Sequence, residues 1–231
     1  MTIYLNFAEI NSLASLAAIT PGPASGDAVV LEHVKIKIAG GNLVAYATDR
    51  YIAARVEFDL ALERDGAESD GLVEFTVSGD VLKRTLAAAK RAHAGKKGAG
   101  SSLVHLTPYG QIEGVVDISV DGGADSFRSY PPRMPGSDRI SSYPPIGRLF
   151  PDSFEHVNAI DAGVPVDLEM LGKIAKLRHP LDTLSGRAKT AFGAYRISLS
   201  APRGDLKNSP PLLLTRADER IAVIAQPREG A

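Results

Sequence analysis

Residues 43–54 read Leu43-Val44-Ala45-Tyr46-Ala47-Thr48-Asp49-Arg50-Tyr51-Ile52-Ala53-Ala54. Apolar, β-branched and aromatic residues fill both flanks, and the polar pair Asp49-Arg50 interrupts them. That pattern predicts a strand, a tight turn and a second strand. The strands extend as 43–48 and 51–60, and another, 29–38, precedes them across the turn Gly40-Gly41-Asn42. Residues 72–77 alternate, with Val73, Phe75 and Val77 on one face and Glu74 and Thr76 on the other. Further strands are predicted at 102–106, 111–120, 194–200, 211–215 and 221–225.

Three stretches carry the helical period instead. In 7–18, Phe7, Ile10, Leu13, Ala14 and Ala17 make one stripe, and Asn6 followed by Glu9 has the spacing of an N-terminal capping pair. Thr20-Pro21-Gly22-Pro23 ends that helix, because proline cannot continue it. A second helix spans 80–93, capped by Ser78 or Asp80. A third covers 168–177, capped by Asp167 and stopped before Pro180.

The order of elements is a weak internal repeat. Strand, helix and strands in 1–60 are followed by a similar set in 72–120 and a third in about 156–226. Antiparallel sheets with helices packed on one face satisfy it, which makes the fold class α+β. Residues 126–151 break the pattern with prolines at 131, 132, 135, 144, 145 and 151 and with Arg128, Arg133, Arg139 and Arg148 among them, so an extended linker is expected. The organisation expected is a full two-half domain at 1–128, a Pro/Arg-rich linker at 129–151 and a shortened second domain at 152–231.

Composition narrows the function. The chain has 231 residues, 44% hydrophobic and 23% charged, so it has material for a core and is not a disordered or fibrous protein. It has no cysteine, hence no disulfide framework, thiolate metal site or cysteine nucleophile. The opening Met1-Thr2-Ile3-Tyr4-Leu5-Asn6 lacks the features of a signal peptide, and no run is long enough to span a bilayer. A cytoplasmic location is expected, in the host cytoplasm for a virus-encoded chain, with no membrane partner.

Signals for an enzyme are poor. Histidines at 33, 93, 105, 156 and 179 have no ligand-type spacing. Asp117, Asp121 and Asp125 miss the register of a cation loop, and Asp121-Gly122-Gly123 reads better as a hairpin turn. Gly95-Lys96-Lys97-Gly98-Ala99-Gly100-Ser101-Ser102 follows a helix and precedes a strand, the reverse of a phosphate-binding loop. No catalytic residue, metal or cofactor is expected.

One helix does carry a signal. Lys83, Arg84, Lys90 and Arg91 fall within an arc of about 120° on a helical wheel. From Asp80 to Gly100 six basic residues, counting Lys96 and Lys97, face one acid, a local charge of +5 in a chain whose net charge is −1. Such a face suits phosphate contacts that carry no sequence information, and a solvated helix face is the alternative. The third helix adds Lys173 and Lys176, with Glu169 beside them.

The segment 43–54 resembles the strand-turn-strand of bacterial DNA polymerase sliding clamps, whose middle domain carries an "ATDGHRLA"-type sequence. Tyr143-Pro144-Pro145-Ile146-Gly147-Arg148-Leu149-Phe150-Pro151 is similar to the clamp interdomain segment of "FPDYRRVLP" type. Asn208-Ser209-Pro210-Pro211-Leu212-Leu213-Leu214, then Arg220-Ile221-Ala222-Val223-Ile224-Ala225-Gln226-Pro227-Arg228, resembles the closing "NSPLLL" and "YVVMPMR" strands.

The resemblance implies a DNA-clamp fold of repeated strand-helix-strand halves, sheets outside and helices inside, in a homo-oligomeric ring around duplex DNA. The basic helix would face the DNA. It also implies a cleft for short peptides of DNA polymerase and other replication proteins, lined here by Leu31, Thr48, Arg50, Tyr51, Ile52, Pro144, Leu149, Val223, Ile224 and Ala225. Taken by themselves, Leu31, Val223 and Ile224 read better as plain core residues. Arg50 replaces the family's turn glycine, and Gln226 stands where proline is usual. The function implied is that of a processivity factor. A clamp-like peptide-binding adaptor or inhibitor that does not encircle DNA is the alternative, favoured by the shortened second domain.

Overall fold

The computed structural model describes residues 2–21, 26–60, 72–94, 104–108, 114–121, 125–133, 136–150, 157–158, 168–184, 196–199, 212–216 and 220–225. Local signals place the first elements. Strand β1 (Ile3–Leu5) leads into helix α1 (Phe7–Leu16), which Asn6 caps as its spacing predicts. The Asn6 side chain accepts from Glu9 N–H at 3.0 Å while Glu9 accepts from Asn6 N–H at 2.7 Å. Strands β2 (His33–Ala39), β3 (Asn42–Thr48) and β4 (Ile52–Asp59) follow as a meander. Strand β5 (Val73–Ser78) and helix α2 (Gly79–His93) come next, then β6 (Val104–Pro108), β7 (Val116–Val120) and β8 (Ser126–Ser129). The C-terminal part holds β9 (Val157–Asn158), α3 (Leu168–Ile174), α4 (Leu181–Leu184), β10 (Arg196–Leu199), β11 (Leu212–Arg216) and β12 (Ile221–Ala225).

These strands make two antiparallel sheets, β1-β6-β7-β8 and β5-β2-β3-β4-β12-β11-β10-β9. The two N-terminal halves exchange their first strands. β1 precedes α1 yet pairs with β6, and β5 precedes α2 yet pairs with β2. The C-terminal part repeats the order of the small sheet without exchange, since β9 pairs with β10 of its own set. Its last strand, β12, then joins β4, with Ile52 opposite Ala225, Ala53 opposite Ile224 and Ala54 opposite Val223.

α1 and α2 pack on each other, with the Phe7 and His93 rings stacked at 5.1 Å. Between helices and sheets lies one core that includes Ile3, Leu5, Ile10, Leu13, Leu16, Ile36, Leu43, Phe58 and Leu82. The elements approach closely at Gly79, where a Cβ would stand 2.9 Å from Thr20 Oγ1 and 3.2 Å from Ala17 Cβ. Burial of strands on that one inner face explains the alternation in the sequence.

Three expectations need correction. Residues 29–32 belong to a 3-10 turn, Gly26–Glu32, and not to the strand, which starts at His33. Residues 126–129 are strand β8 and not linker: Phe127 turns toward the core, and Arg128 reaches back to Asp117 on β7 at 2.6 and 3.0 Å. The prolines that break the chain begin only at Pro131, and even there Arg133 and Ile140 form a bridge, with Arg133 on Asp138 at 2.8 Å. The third helix ends at Ile174, with single turns carrying it to Leu177. The loop of Lys96 and Lys97, the Gly122-Gly123 turn, residues 208–211 and Gln226 lie outside the described residues.

Candidate nucleic-acid interface and outer-face cleft

α2 buries Leu82, Thr85, Ala88 and Ala89 and leaves Lys83, Arg84, Lys90 and Arg91 exposed. Its ends suit the helix dipole, with Asp80 in the first turn and Lys90, Arg91 and His93 in the last. The four cations are not equivalent. Arg84 lies 3.9 Å from Asp80 and over the Phe127 ring at 5.2 Å, and Arg91 binds Asp125 at 3.0 Å. Lys83 and Lys90 have no ion-pair partner among the described residues. Lys96 and Lys97 lie outside them. Lys176 is exposed, but Lys173 is drawn into the fold: its ammonium sits 2.8 Å from Asp49, whose side chain is only 8% exposed, and 3.8 Å from Glu169.

Asp49 organises the turn that opened the sequence reading. Its Oδ1 accepts from the N–H groups of Tyr51 at 3.0 Å and Ile52 at 2.8 Å, while Oδ2 takes Lys173. Arg50, where the clamp motif has glycine, sits at φ +83°, the left-handed region that side chains avoid. Tyr51 is left 54% exposed beside it.

Register sorts the residues expected in a cleft. Thr48, Ala53, Ile224 and Leu213 are partners in one row across β3, β4, β12 and β11, on the outer face away from the helices. Tyr46, Arg55, Ala222 and Thr215 make the next row. The segment before residue 151 lies over them. Phe150 packs with Tyr46, Ala53, Ala222 and Ile224, Arg55 stands 5.6 Å above its ring, and Tyr143 donates to the Tyr46 carbonyl at 3.2 Å. Burial pushes the phenols of Tyr46 and Tyr143 up, so both stay neutral. Pro144 is half-buried and Leu149 is 53% exposed at the rim.

Ile52, Val223 and Ala225 point the other way and belong to the main core. They cannot line an outer-face opening, because neighbouring residues of a strand face opposite sides. Leu31 is buried in the 3-10 turn. The residues that sequence reasoning missed are Tyr46, Ala53, Arg55, Ala222 and Phe150. Tyr46 was within reach, since period two puts it on the face of Thr48. Among the described residues no group of three or more His, Asp or Glu side chains could hold a metal, and no helix is long and apolar enough to cross a membrane.

A second polar joint ties the C-terminal part down. His179 is 2% exposed; its Nε2 is 2.9 Å from the Glu57 carbonyl and its Nδ1 accepts from Leu181 N–H at 3.2 Å. That pair of partners defines the neutral ring, and burial holds its pKa below 6.5. Asp182 accepts from His179 N–H at 2.8 Å and from Arg216 at 2.7 Å. Ser12 and Ser15 of α1 bond the backbone of Arg178 at 2.7 and 2.9 Å.

No family model matches the chain, and no curated protein does. Solved structures match with probability 1.00 over the whole chain. The DNA polymerase III beta subunit of Thermotoga maritima aligns with a TM-score of 0.59 at 10% identity, covering 100% of this chain and 65% of that one. The DNA polymerase sliding clamp of Pseudomonas aeruginosa gives 0.57 at 11%, covering 100% and 67%. The sliding clamp of Bartonella birtlesii bound to griselimycin gives 0.56 at 14%, covering 100% and 66%. The chain thus spans about two thirds of these proteins, slightly less for the first. At such identity the likeness is one of fold, and it agrees with the two antiparallel sheets and the helices on their inner face. The chain has, in divergent form, the α+β fold of the bacterial DNA polymerase sliding clamps.

Proposed function

We propose that this chain is a non-enzymatic, sliding-clamp-like processivity factor that tethers replication proteins to duplex DNA by sequence-independent contacts. The observation that carries the reading is the exposed row Lys83, Arg84, Lys90 and Arg91 on a helix whose other side is packed into the fold. Point charges on a rigid element hold phosphates without reading bases. We further propose a full domain at 1–128, a connector at 129–151 and a shortened domain at 152–231. Charge reversal of all four cations is expected to abolish retention on nonspecific duplex DNA at moderate salt. Unchanged retention refutes the DNA role.

A second reading has its own support. Leu149 is exposed next to Phe150, which packs in a small apolar cluster on the outer face, and Tyr51 is exposed in the nearby turn, which suits an extended peptide with an apolar anchor. A peptide-capturing adaptor or inhibitor would use that face alone. Peptide binding that is lost in Leu149→Asp, together with no DNA retention by the wild type, selects it over the first.

A further inference from the structure

The turn between β3 and β4 is tightly held although one of its residues is strained. Arg50 sits at φ +83°. Its N–H donates to Thr48 Oγ1 at 3.1 Å, Asp49 N–H donates to the Ile52 carbonyl at 3.2 Å, and Asp49 Oδ1 accepts from both Tyr51 and Ile52. A further hold comes from 124 residues along the chain, where Lys173 donates to Asp49 Oδ2 at 2.8 Å. Backbone strain of this kind persists where the surroundings over-determine it, and such places gather at functional sites.

Lys173 belongs to α3, whose Met170 and Ile174 are buried in the main core together with Ile52. α3 therefore lies on the helix side of the large sheet, whereas Tyr51 opens to solvent in the turn near the outer-face cluster. The Lys173–Asp49 pair joins the two sides. Its ammonium has a second carboxylate within reach, Glu169 at 3.8 Å, which is exposed where Asp49 is nearly buried. A small swing trades one carboxylate for the other, which gives the contact two discrete arrangements.

We propose that Lys173 is a positioning residue of the outer face, acting as a latch. Closed on Asp49, it holds the 49–52 turn and with it Tyr51; swung toward solvent, it lets the turn go. Departure of the ammonium leaves a nearly buried carboxylate to the two backbone N–H groups, which is costly, so the latch rests closed. Lys176 follows one turn later and is exposed, so the end of α3 offers two cations to an anion arriving from the helix side. A backbone phosphate of duplex DNA that takes the Lys173 ammonium opens the latch, and by linkage a peptide that needs the closed turn opposes DNA at α3. That coupling rests on the DNA-tethering reading; the latch rests on the contacts alone.

The test is hydrogen exchange of the Tyr51 and Ile52 amides in the full chain, followed by NMR. Lys173→Met is expected to speed both about ten-fold, the scale of a lost hydrogen bond to a charged group, and Lys173→Arg to restore most of the protection. Glu169→Gln touches neither the turn nor its bonds, yet it removes the competing carboxylate and should slow both amides about two-fold. An ion pair with a structural role alone would not respond to that change. Exchange that Lys173→Met leaves unchanged, or that Glu169→Gln fails to slow, overturns the latch. In a second arm, saturating random-sequence duplex, with binding read by anisotropy, should speed both amides in the wild type and not in Lys173→Met. Bound duplex without that effect refutes the coupling. A duplex that does not bind refutes the DNA reading, and the variants still decide the latch.

Discussion

The inequality among the four α2 cations makes the DNA reading quantitative. Lys83 and Lys90 stand clear, whereas Arg84 and Arg91 lie 3.9 and 3.0 Å from Asp80 and Asp125. Replacing both lysines by glutamine removes two phosphate contacts, each worth about 0.9 in the slope of log K against log salt, so the slope falls by about 1.8. Between roughly 50 and 200 mM salt, a four-fold change, the wild type should lose about twelve-fold more affinity than the variant. Asp80→Asn and Asp125→Asn work in the opposite sense: they release the arginines, steepen the slope and tighten binding at low salt. Fluorescence anisotropy on a random-sequence duplex across a salt series measures both. Equal slopes for wild type and Lys83→Gln/Lys90→Gln would refute the reasoning, as would a flatter slope in the aspartate variants.

Three further outcomes follow from the packing. Gly79→Ala forces a methyl against Thr20 Oγ1 at 2.9 Å and the Glu32 carbonyl at 3.1 Å, and should cost about 1–3 kcal/mol in urea denaturation; an unchanged midpoint contradicts it. Arg50→Gly relieves a side chain held at φ +83° and should stabilise by about 1 kcal/mol after the unfolded glycine's extra freedom is counted, whereas Arg50→Val should destabilise. His33 and His179 are kept neutral by burial, with pKa values lowered from 6.5. The unfolded chain therefore binds those protons more readily. Stability is full above about pH 6.5 and falls as the pH drops below it, until the folded imidazoles also protonate. Urea midpoints that stay level from pH 7.5 to 5.5 would contradict this.

Local chemistry was legible in the sequence where a residue acts on its near neighbours. The Asn6–Glu9 capping box, the bounds of α2 and the strand at Ile221–Ala225 all follow from spacing alone. Partners were not legible. Period two shows that Ile224 and Val223 face opposite ways, but only the register with Ala53 and Ala54 says which of them meets the helices. The exchange of β1 and β5 between halves is likewise invisible to a pattern that reports faces and not neighbours. β8 was hidden by the prolines just beyond it, and the 3-10 turn by Val29, Val30 and Leu31, whose apolar run reads as strand until burial is known. The outer face was half legible for the same reason: Thr48 and Ile224, both named from the sequence, share one row of it, but Phe150 was passed over because a covering loop has no period to betray it.

The junction between β4 and β12 joins residue 52 to residue 225, and a ribosome makes the chain in order. Once residue 59 has emerged, β4 can complete its ladder with β3, but its far side has no strand to meet until the last described residues are made. At about 5–20 residues per second that interval is on the order of 10–30 s. Throughout it, Ile52-Ala53-Ala54-Arg55-Val56 presents a bare apolar edge of the kind that recruits stray strands. Arg55 is the one charge in that run, and a cation in the middle of an open edge discourages such pairing. The side chain that lies over Phe150 in the finished protein is thus also the guard of an edge during synthesis.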